Sequence, residues 1–305
     1  MTTADLNKTI FAHLSDKLCY AMALAFLQTP LKRFGFRTPS ITRFDSTENW
    51  EADRVADVSA YRTLFTRFAQ FEGKRVLDLG CNKGYLLNSF LQNEKFTAIG
   101  ADIVTSYLDY GRATYPNITF IQTTPSSIPL ESETIDLVYT IDTVEHLSRP
   151  REIFSEVFRV LKPGGQFLVH FNPWLNPYGS HMEDIIPFPW PHVVFSMDTL
   201  LTTAARVYDS PAYPTACYFI DNGKKVSNPF LDRDKWAEYL NKMTIRRFNR
   251  LLKTLPFALQ HQERIGFGGK TFKFSKAVKG LSQVRLLDEF FTNALFTVLT
   301  KPSHR

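Results

Sequence analysis

Cysteine is scarce. Three cysteines, Cys19, Cys81 and Cys217, are scattered over 305 residues. That spacing provides neither a CxxC metal pair nor a disulfide framework, and it fits a reducing compartment, so a cytoplasmic setting is expected. Long apolar runs are also missing. The most apolar early stretch, Cys19 to Leu27, is nine residues, whereas a membrane-spanning helix needs about 20. The N-terminus shows no basic segment and cleavage pattern of a secretory signal, so none is expected. There is no internal repeat and no low-complexity segment. The net charge of +6 comes without an RNA-binding signature, and its one local cluster is Arg246, Arg247 and Arg250. Nucleic acid is therefore not expected as a partner.

What is present is ordinary for a folded chain: 44% hydrophobic and 22% charged residues, which excludes compositional disorder. The length allows one large α/β domain with additions, or two small domains. Phenylalanine is prominent, at 27 against 12 Tyr and 4 Trp. Such aromatic mass fills a core or lines an apolar acceptor pocket.

Residues 16–28 have helical spacing, with Leu18, Met22, Ala25 and Phe26 near one face. This reads as a helix packed on the domain, with a peripheral membrane-surface helix as the alternative. The following stretch to residue 45 reads as irregular. A second helix is expected over 52–71, with Val55, Val58, Leu64 and Phe68 inward.

Strands and helices then alternate. Strands are expected at Arg75–Leu79, Ala98–Asp102, Ile118–Gln122, Ile135–Ile141 and Phe167–Phe171, the last apolar except for His170. Helices are expected at Gly84–Gln92, Tyr107–Tyr115 and Pro150–Leu161, with Pro163-Gly164-Gly165 as the turn that stops the third. Later come a helix at Thr244–Thr254, with Thr244 as its N-cap, and strands at Phe257–Gln262 and Ala294–Leu299. The alternation calls for a doubly wound α/β fold, a seven-stranded, mostly parallel Rossmann-like sheet with helices on both faces.

Residues 172–241 break the rhythm and carry eight of the 17 prolines and three of the four tryptophans. A segment of that length needs its own structure and suggests a function. The expected organisation is an N-terminal helical extension over 1–70, a cofactor-binding core over 71–171, a substrate-side insertion or lid over 172–241, and completion of the sheet over 242–305.

The central signal is Val76-Leu77-Asp78-Leu79-Gly80-Cys81-Asn82-Lys83-Gly84, where a strand runs through a tight turn into a helix. Small residues let a ligand approach the backbone, and the helix start offers free N–H groups. A dinucleotide fingerprint needs glycine at the sixth position from Gly80, where this chain has the bulky Tyr85. An acid at Asp78, two residues before the first glycine, is also unusual for such a site. Both departures favour S-adenosyl-L-methionine over NAD.

With these residues the chain resembles the class I S-adenosylmethionine-dependent methyltransferases, whose first motif is an acid, any residue, then Gly-x-Gly-x-Gly. The likeness spans roughly 75–171, and Asn82 stands where the middle glycine belongs. Asn tolerates left-handed backbone, so the turn survives. The resemblance implies that Asp78, Gly80, Asn82 and Gly84 lie along the cofactor, with Asp78 orienting its amino group. It implies that Asp102 accepts both ribose hydroxyls, a task that suits a carboxylate; a helix cap is the plainer alternative. Family members place an acid shortly before the step that is Ile128-Pro129 here, and this chain has Thr123-Thr124 instead, which makes Thr124 the adenine-side candidate. Asp136 and the Pro-Gly-Gly turn match motifs of the family that are read as structural. The loop Ile141-Asp142-Thr143-Val144-Glu145-His146 follows the fourth strand, where relatives touch the methionine moiety and the acceptor; Asp142 is the cofactor-side candidate. Glu145 and His146 also fit a helix cap and a buried tether.

Three of the seven histidines fall within 170–192. Trp174, Tyr178, His181 and His192 belong to the Asn172–His181 and Pro189–His192 runs and are the candidate acceptor contacts. A neutral His removes a proton from a hydroxyl or acidic N–H, which makes His181 the first base candidate and His146 the second. A thioether acceptor needs no base. A metal site from His181, Glu183, Asp184 and His192 matches no firm ligand pattern, so no metal is expected. The expected function is an enzyme (EC 2.1.1.-) that methylates a small molecule, lipid-like or a secondary metabolite, on O, N or S. The alternatives are an RNA or protein methyltransferase, or an inactive cofactor-binding protein. The oligomeric state is open.

Overall fold

The computed structural model describes residues 3–28, 58–213, 215–216, 219–221, 224–266, 280–281, 284–285 and 287–303. Val55, Cys217 and the stretch 29–45 lie outside them. The chain divides into two compact units, one from Met1–Trp50, Trp174–Tyr239 and Gly266–Asn293, the other from Glu51–Pro173, Leu240–Ile265 and Ala294–Arg305.

The second unit is built on a seven-stranded sheet of order β3-β2-β1-β4-β5-β9-β8. Its strands are β1 (Arg75–Leu79), β2 (Thr97–Asp102), β3 (Ile118–Gln122), β4 (Ile135–Ile141), β5 (Leu161–Phe171), β8 (Ala258–Gly266) and β9 (Thr292–Thr300). The first five pair in parallel and β9 runs antiparallel to β5. Its helices are α2 (Val58–Phe65), α3 (Tyr85–Leu91), α4 (Thr105–Thr114), α5 (Pro150–Val160) and α9 (Ile245–Leu252). The class expected from the alternating pattern is the one found.

Side chains alternate across each strand, so the sheet feeds two cores. Leu77, Val138 and Phe167 pack on one face with Phe154 and Phe248. Val76, Leu137, Tyr139 and Leu168 pack on the other with Phe65, Phe90 and Phe296. The Thr244 hydroxyl caps α9 by accepting the Arg247 N–H at 3.1 Å, as its sequence position predicts. The chain builds outward from β1 to β3 and then returns to place β4 on the other side of β1. Where the order reverses, the carboxyl ends of β1 and β4 leave a crevice, the usual ligand position in such sheets.

Two expectations need correction here. Helix α2 ends at Phe65, well short of residue 71. Strand β5 starts at Leu161, before the Pro163-Gly164-Gly165 step, because Leu161 pairs with Ile135 and the glycines bond to Lys301: Gly164 N–H to its carbonyl at 2.8 Å, and its N–H to Gly165 at 2.9 Å. The step is an irregularity within the strand.

The first unit holds α1 (Thr3–Gln28), α6 (Pro191–Val194), α7 (Met197–Tyr208), the ribbon β6 (Ile220–Asp221) and β7 (Lys224–Lys225), and α8 (Arg233–Tyr239). Its core gathers Met182, Ile186, Phe188, Leu200, Tyr208 and Phe230 around Cys19 and Ala23. Leu18 is 54% exposed and Ala25 is also exposed, so the face read from spacing is corrected. The buried stripe runs through the small Cys19 and Ala23, which let α1 lie close on α7, with the Arg206 guanidinium 4.0 Å over the Tyr20 ring. No helix among the described residues is long and apolar enough to cross a membrane.

Candidate functional site

The turn after β1 is left-handed at three residues, Gly80 (φ 84°), Asn82 (φ 52°) and Gly84 (φ 86°). A Cβ at Gly80 would overlap the Thr143 side chain, and one at Gly84 would lie 2.5 Å from Phe120 Cζ. Both positions therefore require glycine on conformational and steric grounds. Asn82 adopts the strained conformation with local support, its Oδ1 accepting the Lys83 N–H at 2.7 Å. The middle member of the glycine trio is thus replaced without loss of the turn.

Asp102 ends β2 and is tied to this turn. Its Oδ2 accepts the Asn82 N–H at 2.8 Å, and its Oδ1 accepts the Val104 N–H at 3.0 Å. Each carboxylate oxygen has more than one lone pair, so two further hydroxyl donors can be received. Asp78 is 4% exposed. Burial lifts its carboxyl to about 7; the nearby Tyr139 hydroxyl opposes the lift and the charge of Asp102 adds to it. A buried acid in that state gains from any cationic ligand placed beside it. Burial and the neighbouring acids Asp78 and Asp102 also push the Cys81 thiol far up, which leaves it unreactive. Thr124 is exposed on the loop after β3, where its hydroxyl shares a hydrogen bond with Ser127 at 2.8 Å.

Across the crevice, the end of β4 makes a compact polar knot. Asp142 stands at φ 50°, with its N–H bonded to the His170 carbonyl at 3.0 Å. Its Oδ1 meets His170 Nδ1 at 3.2 Å and Asn172 Nδ2 at 3.1 Å. The Asn172 N–H donates to Glu145 Oε1 at 3.3 Å. Glu145 is 3% exposed, and burial together with the charge of Asp142 pushes its carboxyl up to about 8. His146 closes the short 3-10 turn Val144–His146 and is half-buried. Asn241 pins that turn: its N–H donates to Glu145 O at 2.8 Å, and its Nδ2 to Val144 O at 2.6 Å and Leu147 O at 2.9 Å. Asp136 accepts from Arg75 N at 2.9 Å and Lys162 Nζ at 2.7 Å, a brace at the far end of the sheet.

The remaining candidates belong to the first unit. Asn176 organises them, its Oδ1 accepting the Tyr178 N–H at 2.6 Å and its carbonyl the Gly179 N–H at 3.2 Å. Tyr178 is buried, and His181, half-buried at φ 54°, stands edge-on to Tyr239 at 6.2 Å. Trp174 and His192 form an edge-to-face pair at 4.6 Å. Burial lowers His192 to about 4, the nearby Trp174 backbone opposing it, so this imidazole is neutral at physiological pH.

Sequence reasoning passed over His170, Asn172, Tyr139 and Asn241. His170 had a signal, being the one polar residue of its strand end; the others gain their roles from partners distant in the chain.

Residues 77–169 match the family model described as a methyltransferase domain. A probable S-adenosylmethionine-dependent methyltransferase of Mycolicibacterium smegmatis is 34% identical over 109 residues, which is 36% of this chain and 41% of that protein. An uncharacterized methyltransferase of Mycobacterium leprae is 26% identical over 174 residues, 56% of this chain and 63% of that one. The chain thus spans between 41% and 63% of the length of these relatives. Among solved structures, a chain from the complex of the Haloferax volcanii Trm112 methyltransferase activator with a methyltransferase has TM-score 0.50 at 16% identity, covering 83% of this chain and 96% of that one; this is a likeness of fold.

Proposed function

We propose that this chain, whose residues 77–169 are a class I S-adenosylmethionine-dependent methyltransferase domain, moves the methyl group of that cofactor to a small-molecule acceptor. The observation that carries the reading is the joined pair of cofactor elements, the glycine-dependent turn after β1 and the Asp102 carboxylate bonded to it.

The residues present fit the cofactor. Asp102 is bonded to the turn through one N–H per carboxylate oxygen, which leaves each oxygen a lone pair for a hydroxyl donor, and Gly80 lacks a Cβ where Thr143 packs against the turn. Asp102 would receive the ribose hydroxyls, Asp78 would orient the amino group, and Asp142 would face the methionine portion. Thr124 is the adenine-side residue. Gly84 and Asn82 set the path of the backbone beneath. When bound, the cofactor supplies a methyl group on a sulfonium, which needs an aligned nucleophile more than it needs protein chemistry.

The acceptor side is assigned to residues 172–241, because this segment continues directly from the carboxyl end of β5. Trp174, Tyr178 and His192 are its contact residues; a neutral, ring-packed His192 suits a hydrogen-bonding role. His181 takes the proton of a hydroxyl or acidic N–H acceptor, with His146 as the second candidate.

Incubation of the full chain with tritiated S-adenosylmethionine and separate pools of small organic acceptors, RNA and protein tests this reading. Label in the small-molecule pools is expected. Label confined to RNA or protein, or no transfer to any pool, contradicts it.

A further inference from the structure

We propose that His170 is a positioning residue for Asp142: its imidazole, together with the Asn172 amide, fixes the orientation in which the Asp142 carboxylate meets the methionine portion of the cofactor. The inference rests on the cofactor reading above and assigns the part of that site which lies across the crevice from the glycine turn.

Four features carry it. First, Asp142 occupies a backbone conformation that L residues avoid, at φ 50°, and such strain persists only where the surroundings enforce it. Second, the enforcement comes from β5 at both ends of the residue. The His170 carbonyl holds the Asp142 N–H at 3.0 Å, and the His170 ring holds its carboxylate at 3.2 Å. Third, two donors converge on one oxygen, Oδ1, since Asn172 Nδ2 reaches it at 3.1 Å. Two bonds to a single oxygen from neighbouring positions of one strand end fix the carboxylate plane as well as its place. The carboxylate is an acceptor, so His170 carries its proton on Nδ1. Fourth, the ring has little room to swing. His170 is 7% exposed, and Tyr61 of α2 stands edge-on to it at 5.1 Å.

The placement is otherwise costly. His170 lies in β5 between Val169 and Phe171, and its neighbour across the sheet is Phe296 of β9. A Leu or Phe would suit that apolar setting, and a buried imidazole is tolerated there only while its polar atoms are bonded. Its partner is a carboxylate on the loop that faces the cofactor crevice, so the polarity of His170 serves Asp142.

The test uses His170→Asn, His170→Gln and His170→Ala in the full chain, with calorimetric affinities for S-adenosylmethionine and S-adenosylhomocysteine. The Asn amide nitrogen falls where Nδ1 lies, and the Gln amide nitrogen falls nearer Nε2. The expected result is affinity within about threefold of wild type for H170N and a loss of roughly tenfold for H170Q and H170A, the scale of one charge-assisted hydrogen bond. In an Asp142→Ala background, His170→Ala should cost nothing more. A residue that only fills space gives the opposite order, because Gln replaces more of the lost volume than Asn. The inference is overturned by H170Q binding as well as H170N, by unchanged affinity in H170A, or by additive losses in the double variant. Should H170A fail to fold, the contrast between Asn and Gln decides. Wild-type protein that binds neither ligand overturns the cofactor reading itself, a different result from wild-type binding with no effect of His170.

Discussion

Asp102 Oδ2 accepts the Asn82 N–H at 2.8 Å, so the acid that ends β2 holds the turn that follows β1. On the proposed reading the carboxylate has a second task besides bracing the turn, to receive the ribose. Asp102→Ala removes both and is expected to weaken S-adenosylmethionine binding by roughly tenfold or more. Asp102→Asn keeps one acceptor oxygen and should fall between that and wild type. Calorimetry of the three proteins measures this, and unchanged affinity in D102A removes the ribose assignment.

Two of the three left-handed residues of the turn, Gly80 and Asn82, should respond differently to substitution. Gly80→Ala places a methyl group on Thr143 in a conformation L residues resist, and should cost about 1–3 kcal/mol with a loss of cofactor binding. Asn82→Gly relaxes the backbone but loses the Oδ1 bond to Lys83 N–H, so its stability should stay within about 1 kcal/mol of wild type. Urea unfolding of both variants tests the contrast; a G80A protein as stable as wild type contradicts it.

Asp78 gives the site a pH dependence whose sign is fixed. Burial raises its carboxyl from the ordinary 3.8 to about 7, against the nearby Tyr139 hydroxyl and with the charge of Asp102. The folded, ligand-free chain holds this proton more tightly than the unfolded chain does. Stability from this group is therefore fully present below 3.8, falls as pH rises, and is gone above about 7. Asp78→Asn should flatten that slope in thermal unfolding across the range. Cofactor binding should show the opposite trend, since an amino group is best held by the ionised acid, and affinity should rise as pH passes about 7. A wild-type affinity independent of pH between about 6 and about 8.5 contradicts the orienting role.

His181→Ala is expected to lower turnover while cofactor affinity stays within about twofold, because a base acts on the acceptor. Single-turnover methyl transfer beside calorimetry separates the two. Equal losses in both assign His181 a structural role, in keeping with its ring contact to Tyr239.

The alternating part of the fold was legible because β1 to β4 are short apolar runs with turn residues at their ends, and the Thr244 cap was legible because its partner is three residues away. The start of β5 was not, since Leu161 joins the strand through Ile135 and the glycines through Lys301, both distant in sequence. Helix α1 was misread on one face because Cys19 and Ala23 contribute little to an apolar pattern, although their small size makes them the packing stripe. In the proposed site, the glycine turn was marked by spacing within one stretch of chain and Asp102 by the resemblance to the family. The Asp142–His170 pair joins residues 28 apart, and the strain at Asp142 is visible only in the backbone. The Asp78–Tyr139 contact likewise depends on β1 lying beside β4, a pairing of the fold.

The most direct measurement is calorimetric titration of the purified full chain with S-adenosylmethionine beside NAD(H), without added metal. Micromolar binding of the methyl donor, with no heat from NAD(H), is the expected result. Binding of NAD(H), or of neither ligand, would contradict the reading of the β1 turn and Asp102 as a methyl-donor site.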